Sequence, residues 1–340
     1  MTQNDQFEQL SARAQVLRLR ATAFQALEAY PVSVARLRLV YHGYNTTFRV
    51  DTTDGRIFAL RVNVNSHKSA PELRAEMAWL DALAGDTDLS VPVPQRTVDG
   101  ALTTEVWVSS LGRALPAALF GWLRGPNVEA HPAPMHLRAA GRAMAALHAH
   151  AERWALPPDA SLPASDDLFM HGNEYLHADH PLLTPDRRDV LAQVIPLVQR
   201  RFQEVFASST PHVLHADMHL ANMKWYRGRL SVFDFDDCVI GVPAHDLAVS
   251  SYYLRPRQEL ADALFEGYAG ERSLPAVSPD RFEALLVGRN VLLLNELLGT
   301  ASADFREMLP QYAANTFVKL RHYLDHGEFR HDLPGVVPLG

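Results

Sequence analysis

The sequence predicts an α+β fold in two parts, a small antiparallel sheet with one helix followed by a mostly helical region. Three observations predict it. Short β-branched and aromatic runs, two pairs of them joined by Asp-Gly turns, occupy residues 33 to about 110. Helix-period apolar patterns dominate after Gly125. A chain of 340 residues is long enough for two compact lobes, with a sizeable core in at least one.

The elements follow in order. Residues 3–29 space Leu, Val and Phe among charges, as one or two amphipathic helices do. RLRLVYHG, TTFRVDTT and RIFALRV read as three strands, the last two joined by Asp54-Gly55. Ser69 and Glu72 form a capping box for a helix whose apolar face carries Met77, Leu80 and Leu83. PVPQRTV and LTTEVWV are expected as two more strands about the Asp99-Gly100 turn, and LFGWLRG (119–125) as the hinge. Beyond it, Leu137, Ala140, Met144 and Leu147 share one helical face. Residues 155–183 are Pro-rich and aperiodic, Thr184-Pro185 opens a helix that Pro196 should kink, and 212–235 is expected as a two-strand unit. Pro243 starts another helix, and at least three more helical patterns fill 257–326.

Composition narrows the class. Hydrophobic content of 47% and charged content of 21% are those of an ordinary globular protein. A net charge of -7 with dispersed Lys and Arg argues against nucleic acid as a partner. Cys238 is the only cysteine, so no internal disulfide forms, which fits a reducing compartment such as the cytoplasm. The polar start MTQNDQFEQLSARAQ lacks the apolar segment of a secretory signal. EALLVGRNVLLLNELLG contains Arg289, Asn295 and Glu296, so it reads as a core helix and not a membrane span.

The chemistry is concentrated in HVLHADMHLANMKWYRGRLSVFDFDD. Asp217 lies on a loop after a short apolar run, Asn222 follows five positions later, and Asp234 ends the next β-like run. One carboxylate that can take a hydroxyl proton, with an amide and a second carboxylate that can hold Mg²⁺, is the equipment for phosphoryl transfer from a nucleotide. His215 is grouped with Asp217 in the catalytic loop, where it would buttress the loop through hydrogen bonds. His219 would line the phosphate site or cap the loop. A rival reading takes His212, His215 and His219 as zinc ligands, but it leaves Asp217 and Asn222 unexplained.

Other residues have candidate roles. Arg61, in FALRV, would meet the α- and β-phosphates, with Glu76 pairing to fix its direction. The loop YHGYNTT, holding Gly43 and Asn45, would lie over the phosphates. The chain has no G-x-x-x-x-G-K-[ST] stretch, which excludes a Walker-type site. Asp246 either holds the Asp217 loop by accepting backbone N–H bonds or is a plain acid at a helix N-terminus. Asp236 and Asp237 either add to metal or substrate binding or are solvated turn residues. His148 and His150 look structural.

LHADMHLAN, FDFDD and HDLAV together resemble the aminoglycoside phosphotransferase family, which shares the protein-kinase-like fold. The resemblance extends through YNTTFRV, FALRV, AEMAWLDAL and GRAMAALHAH. It implies a two-lobed molecule: a nucleotide-binding lobe with leading helices (1–118), a hinge (119–125) and a helical lobe with the catalytic loop and acceptor site (126–340). It also implies ATP and Mg²⁺ as cofactors, Asp217 as catalytic base, and Asn222 and Asp234 as metal ligands. Arg61 falls where the family usually has a phosphate-binding lysine, and sequences of the stress-response-kinase type, similar in layout, can carry arginine there. Family members act on aminoglycosides, macrolides, choline, homoserine, fructosamines, hydroxylysine or protein Ser/Thr. The acids Asp217, Asp236 and Asp237 favour an acceptor with an amine near its hydroxyl. The leading expectation is an ATP- and Mg-dependent O-phosphotransferase acting on a small amino alcohol or amino sugar. The alternatives are a Ser/Thr protein kinase of stress-response type and a nucleotide-binding pseudokinase without catalysis. The oligomeric state stays open.

Overall fold

The structure is a computed structural model that describes residue 7 and residues 10–64, 68–170, 172–300 and 303–339. It divides into two compact units, Met1–Arg124 with Leu156–Ala160, and Gly125–Ala155 with Ser161–Gly340. Much of the helix expected from residue 3 lies outside the described residues. The helix α1 (Ala12–Leu27) follows, capped by the Ser11 side chain.

Among the described residues the first unit holds an antiparallel five-stranded sheet and the helices packed on it. Its strands are β1 (Val34–His42), β2 (Asn45–Thr52), β3 (Ile57–Asn63), β4 (Thr104–Val108) and β5 (Arg113–Gly121), in the order β1-β2-β3-β5-β4. Gly55 sits at φ 84° in the β2–β3 turn, the left-handed backbone that Asp-Gly turns use. Alternate residues Phe48 and Val50, Leu60 and Val62, and Leu115 and Leu119 are fully buried, and α1 covers them with Leu19, Ala23 and Leu27. Helix α2 (Ala70–Asp86) starts with the expected capping box between Ser69 and Glu72.

Two expectations fail here. PVPQRTV does not form a strand; it makes an isolated bridge between Pro94 and Phe120 and a turn in which Thr97 N–H bonds Ala101 O. Pro92 and Pro94 bring no N–H to a ladder, which is why the run stays irregular. The strand is instead β5, whose RALPAALFG is poor in β-branched residues and contains Pro116. Leu119–Gly121, expected in a hinge, belong to this strand, between β3 and β4.

The second unit is built on helices α3 (Pro134–Ala151), α4 (Pro185–Phe206), α5 (Pro243–Leu254), α6 (Gln258–Ala269), α7 (Pro279–Leu298) and α8 (Ala303–His326). Helix α4 runs through Pro196 without a break in its assignment. The 212–241 region holds two small sheets where one was expected: β6 (His212–Leu214) pairs with β9 (Val239–Gly241), and β7 (Met223–Tyr226) pairs with β8 (Arg229–Val232). The runs are three or four residues long, too short to show a period. The α7 sequence lies in the core, with Leu286, Val287, Val291 and Leu294 fully buried. No helix among the described residues is long and apolar enough to cross a membrane.

Helices α3 and α6 meet backbone to backbone. A Cβ on Gly141 would stand 2.1 Å from Leu264 O, and one on Gly267 2.1 Å from Arg138 O. The close approach places Tyr268, the residue after Gly267, beside His148. Gly267→Ala is therefore expected to destabilise the protein by about 1–3 kcal/mol, because a rigid backbone carbonyl must move. Urea denaturation measures it, and an unchanged midpoint would contradict the packing described.

Candidate active site

The loop that carries Asp217 runs from the end of β6 to the start of β7, and a buried carboxylate holds it. Asp246, in the first turn of α5, accepts the Ala216 N–H through Oδ1 at 2.7 Å and the His215 N–H through Oδ2 at 3.3 Å. Its Oδ2 also meets His148 Nε2 at 2.9 Å, and His148 Nδ1 lies 2.9 Å from the Tyr268 hydroxyl. Asp246 thus takes the first of the two roles read from the sequence. Ala216 sits at φ 61°, a left-handed conformation unusual for a residue with a Cβ. Holding such a residue costs about 1–3 kcal/mol, and the bond to Asp246 offsets that cost. Ser250 Oγ, one turn further along α5, donates to Met218 O at 2.6 Å.

His215 is fully buried, and burial holds its pKa below the ordinary imidazole value. The neutral ring has a defined tautomer. Nε2–H donates to Phe233 O at 3.1 Å, and Nδ1 accepts the Asp217 N–H at 3.3 Å. Both nitrogens therefore serve the backbone, and the ring is a strut between the loop and the end of β8. A ring used this way is not a zinc ligand, and His212, His215 and His219 form no metal-holding group among the described residues. His219 caps the short 3₁₀ turn Leu220–Asn222, accepting the Ala221 N–H through Nδ1, while its Nε2 faces Asp217 Oδ2 at 3.3 Å.

Asp217 and Asn222 are brought together. Asn222 Nδ2 donates to Asp217 Oδ2 at 2.9 Å and to Asp217 O at 3.0 Å. The Phe233 N–H donates to Asn222 O at 3.0 Å, which ties the residue before Asp234 to Asn222. Asp234 is exposed and left-handed, at φ 65°. Asn222 Oδ1 accepts no hydrogen bond from any described residue, because the amide points its nitrogen at Asp217. One amide oxygen and one exposed carboxylate suit a hard cation that completes its shell with phosphate and water.

Asp217 carries a partner that sequence reasoning missed. Arg289, buried in the middle of α7, donates through Nη2 to Asp217 Oδ1 and to the Tyr253 hydroxyl, the latter at 2.8 Å. Burial alone would raise the Asp217 carboxyl, but the charge of Arg289, then the His219 bond, hold it below the usual carboxylate range. Asp237 and Glu296 go the other way. Each meets solvent, yet each is crowded by protein, and desolvation first, then the charge of Asp217, raises both. Asp237 thus lies near enough to Asp217 for their charges to interact. In sequence Arg289 carries no signal, since it lies 72 positions from Asp217.

In the first unit Arg61 is not a surface arginine. It is buried on β3 and forms a two-pronged pair with Glu76 of α2, Nη1 to Oε1 at 2.7 Å and Nη2 to Oε2 at 2.8 Å. The Phe120 ring lies under its guanidinium, 5.4 Å from the centroid. Gly43 occupies the two-residue β1–β2 connection, where a Cβ would strike the Tyr41 ring. Asn45 is buried at the start of β2, opposite Asn63.

The model of the phosphotransferase enzyme family matches residues 37–279. The chain belongs to this family. Among curated relatives, a homoserine kinase of Methylobacterium nodulans is 30% identical over 212 residues, covering 60% of this chain and 60% of its own. The chain thus spans about three fifths of that relative's length. Among solved structures, a microcompartment-associated aminopropanol kinase superposes with TM-score 0.75 at 25% identity, covering 92% of this chain and 99% of its own. An amicoumacin kinase in complex with AMP-PNP, Ca²⁺ and Ami superposes with TM-score 0.73 at 19% identity, covering 91% and 96%. The α+β, protein-kinase-like fold expected from the motifs is the fold of these phosphotransferases. Arg289 lies beyond the matched residues.

Removing Asp246 leaves two buried N–H groups and His148 without their acceptor. Asp246→Ala is expected to cost about 3–5 kcal/mol at neutral pH. His148 and the Ala216 N–H outweigh desolvation and hold the Asp246 carboxyl below its ordinary value. A depressed folded-state pKa adds stability above the unfolded value, about 3.9, and loses it as pH falls through the folded value. Denaturation of both proteins from pH 7 to pH 3 should show a difference constant above about pH 5 that narrows in acid.

Proposed function

We propose that this protein transfers the γ-phosphoryl group of ATP, with Mg²⁺, to the hydroxyl of a small molecule that carries an amine. The observation that carries the reading is Asp217, pinned on a loop with fixed backbone and hydrogen-bonded to Asn222 at 2.9 Å. Asp217 accepts the acceptor's hydroxyl proton through its carboxylate as the oxygen attacks the γ-phosphorus. Its low proton affinity suits late proton transfer, since a loose phosphoryl transition state needs little base assistance. Asn222 Oδ1 and Asp234 hold the cation, which when bound neutralises charge on the β- and γ-phosphates. Arg61 meets the α- and β-phosphates, while Glu76 fixes the plane of its guanidinium. Gly43 and Asn45 are the β1–β2 contribution to the phosphates. His215 positions the loop and touches no reactant.

Two further observations support the reading. The Arg61–Glu76 pair is fully formed, which favours an active enzyme over a pseudokinase. The relatives' names, homoserine kinase, aminopropanol kinase and amicoumacin kinase, are those of small-molecule kinases, which favours such an acceptor over a protein. Asp237 and Glu296 beside Asp217 favour an amine on that acceptor.

Asp217→Asn should retain ATP binding by calorimetry and lose about 10²- to 10⁴-fold in kcat by ADP release. Near-wild-type turnover would remove Asp217 from the role. Asp234→Ala should bind ATP equally weakly with and without Mg²⁺, whereas the wild-type protein binds it more tightly when Mg²⁺ is present.

A further inference from the structure

We infer that Arg289 recognises a carboxylate on the acceptor, so that the preferred substrate class is a hydroxy-amino acid and not an amino alcohol lacking that group. The inference rests on the phosphoryl-transfer reading of Asp217 and specifies its acceptor.

Arg289 lines an apolar cavity with Leu168, Leu285 and Leu292, where a guanidinium is costly unless partnered. Its bonds account for part of the group. Nη2 serves Asp217 and Tyr253, and Nε reaches the same Tyr253 hydroxyl at 3.3 Å. Nη1 donates to no described residue and is not wholly shut off from solvent. A residue whose whole task was to neutralise Asp217 would need no such nitrogen. An arginine with one edge held by the protein and one nitrogen without a described partner is pre-oriented for a second oxyanion.

The surroundings give the rest of the acceptor. Glu296 lies seven residues from Arg289, two turns along the same face of α7. Asp217, Glu296 and Asp237 are the carboxylates whose charge acts on Arg289. A molecule that presents its hydroxyl to Asp217 therefore meets the Arg289 guanidinium and the charge of two further carboxylates. A carboxylate and an ammonium on adjacent carbons complement that set. An amino alcohol would satisfy Glu296 and Asp237, leave Nη1 to water, and bring its cation toward Arg289 with nothing in exchange.

The test uses acceptor pairs that differ by one carboxylate: serine with ethanolamine, threonine with 1-aminopropan-2-ol, and homoserine with 3-aminopropan-1-ol. Each is assayed by ADP release with the full-length protein. At least one pair should favour the carboxylate-bearing member in kcat/KM by about tenfold or more, because a site built to pair a group discriminates against its absence. Arg289→Met should lower turnover of both members, since Asp217 loses its partner, and should bring their ratio near one, mainly through KM for the carboxylate-bearing member. Arg289→Lys, which keeps the charge and loses the fork, should retain an intermediate ratio. Equal or better use of the amino alcohols by the wild-type protein would overturn the inference and leave the phosphotransferase reading standing. An unchanged ratio in Arg289→Met would do the same, and the wild-type and lysine ratios decide if the methionine variant does not fold. Absence of ADP release with every acceptor would overturn both.

Discussion

The candidate site depends on the carboxylate of Asp246. A charge taken out of water this completely is tolerable only when both its oxygens are hydrogen-bonded, and here two backbone N–H groups and an imidazole supply three contacts. The Ala216 bond holds a left-handed residue, and that residue turns the chain so that Asp217 and Asn222 meet. His148 and Tyr268 extend the support to the glycine-tight contact of α3 and α6. A packing detail in two helices is thereby linked to the position of the Asp217 loop.

Around that frame the second unit sets charges against one another. Arg289 favours the ionised form of Asp217, while Asp237 and Glu296 are disfavoured as anions by desolvation and by Asp217 itself. Such an arrangement is unfavourable in isolation and becomes favourable when a complementary ligand arrives. The first unit shows the same economy on a smaller scale. Arg61 and Glu76 satisfy each other with two parallel hydrogen bonds, so the guanidinium is oriented without relying on a ligand.

What was legible in the sequence follows physical rules. The Ser69–Glu72 capping box, the Asp54-Gly55 hairpin and the apolar face from Leu137 to Leu147 are local signals, and these three appear in the structure. The motif residues Asp217 and Asn222 were legible because the phosphoryl-transfer reading needs both within one loop. Strand β5 was not, because Ala, Pro and Leu owe their extended conformation to β3 and β4 on either side. Arg289, Tyr253 and Tyr268 were not, because each reaches its partner across tens of residues through helix packing. His148 was read as structural without its partner, since nothing in its spacing points to Asp246, 98 residues away.

The most direct test of the whole account is ³¹P NMR of the wild-type protein incubated with ATP, Mg²⁺ and a small hydroxyl acceptor bearing an amine. The account requires a new phosphomonoester resonance, coupled to the protons on the acceptor carbon, growing in step with ADP. ATP left unconsumed, or converted only to ADP and inorganic phosphate with every such acceptor, would contradict it.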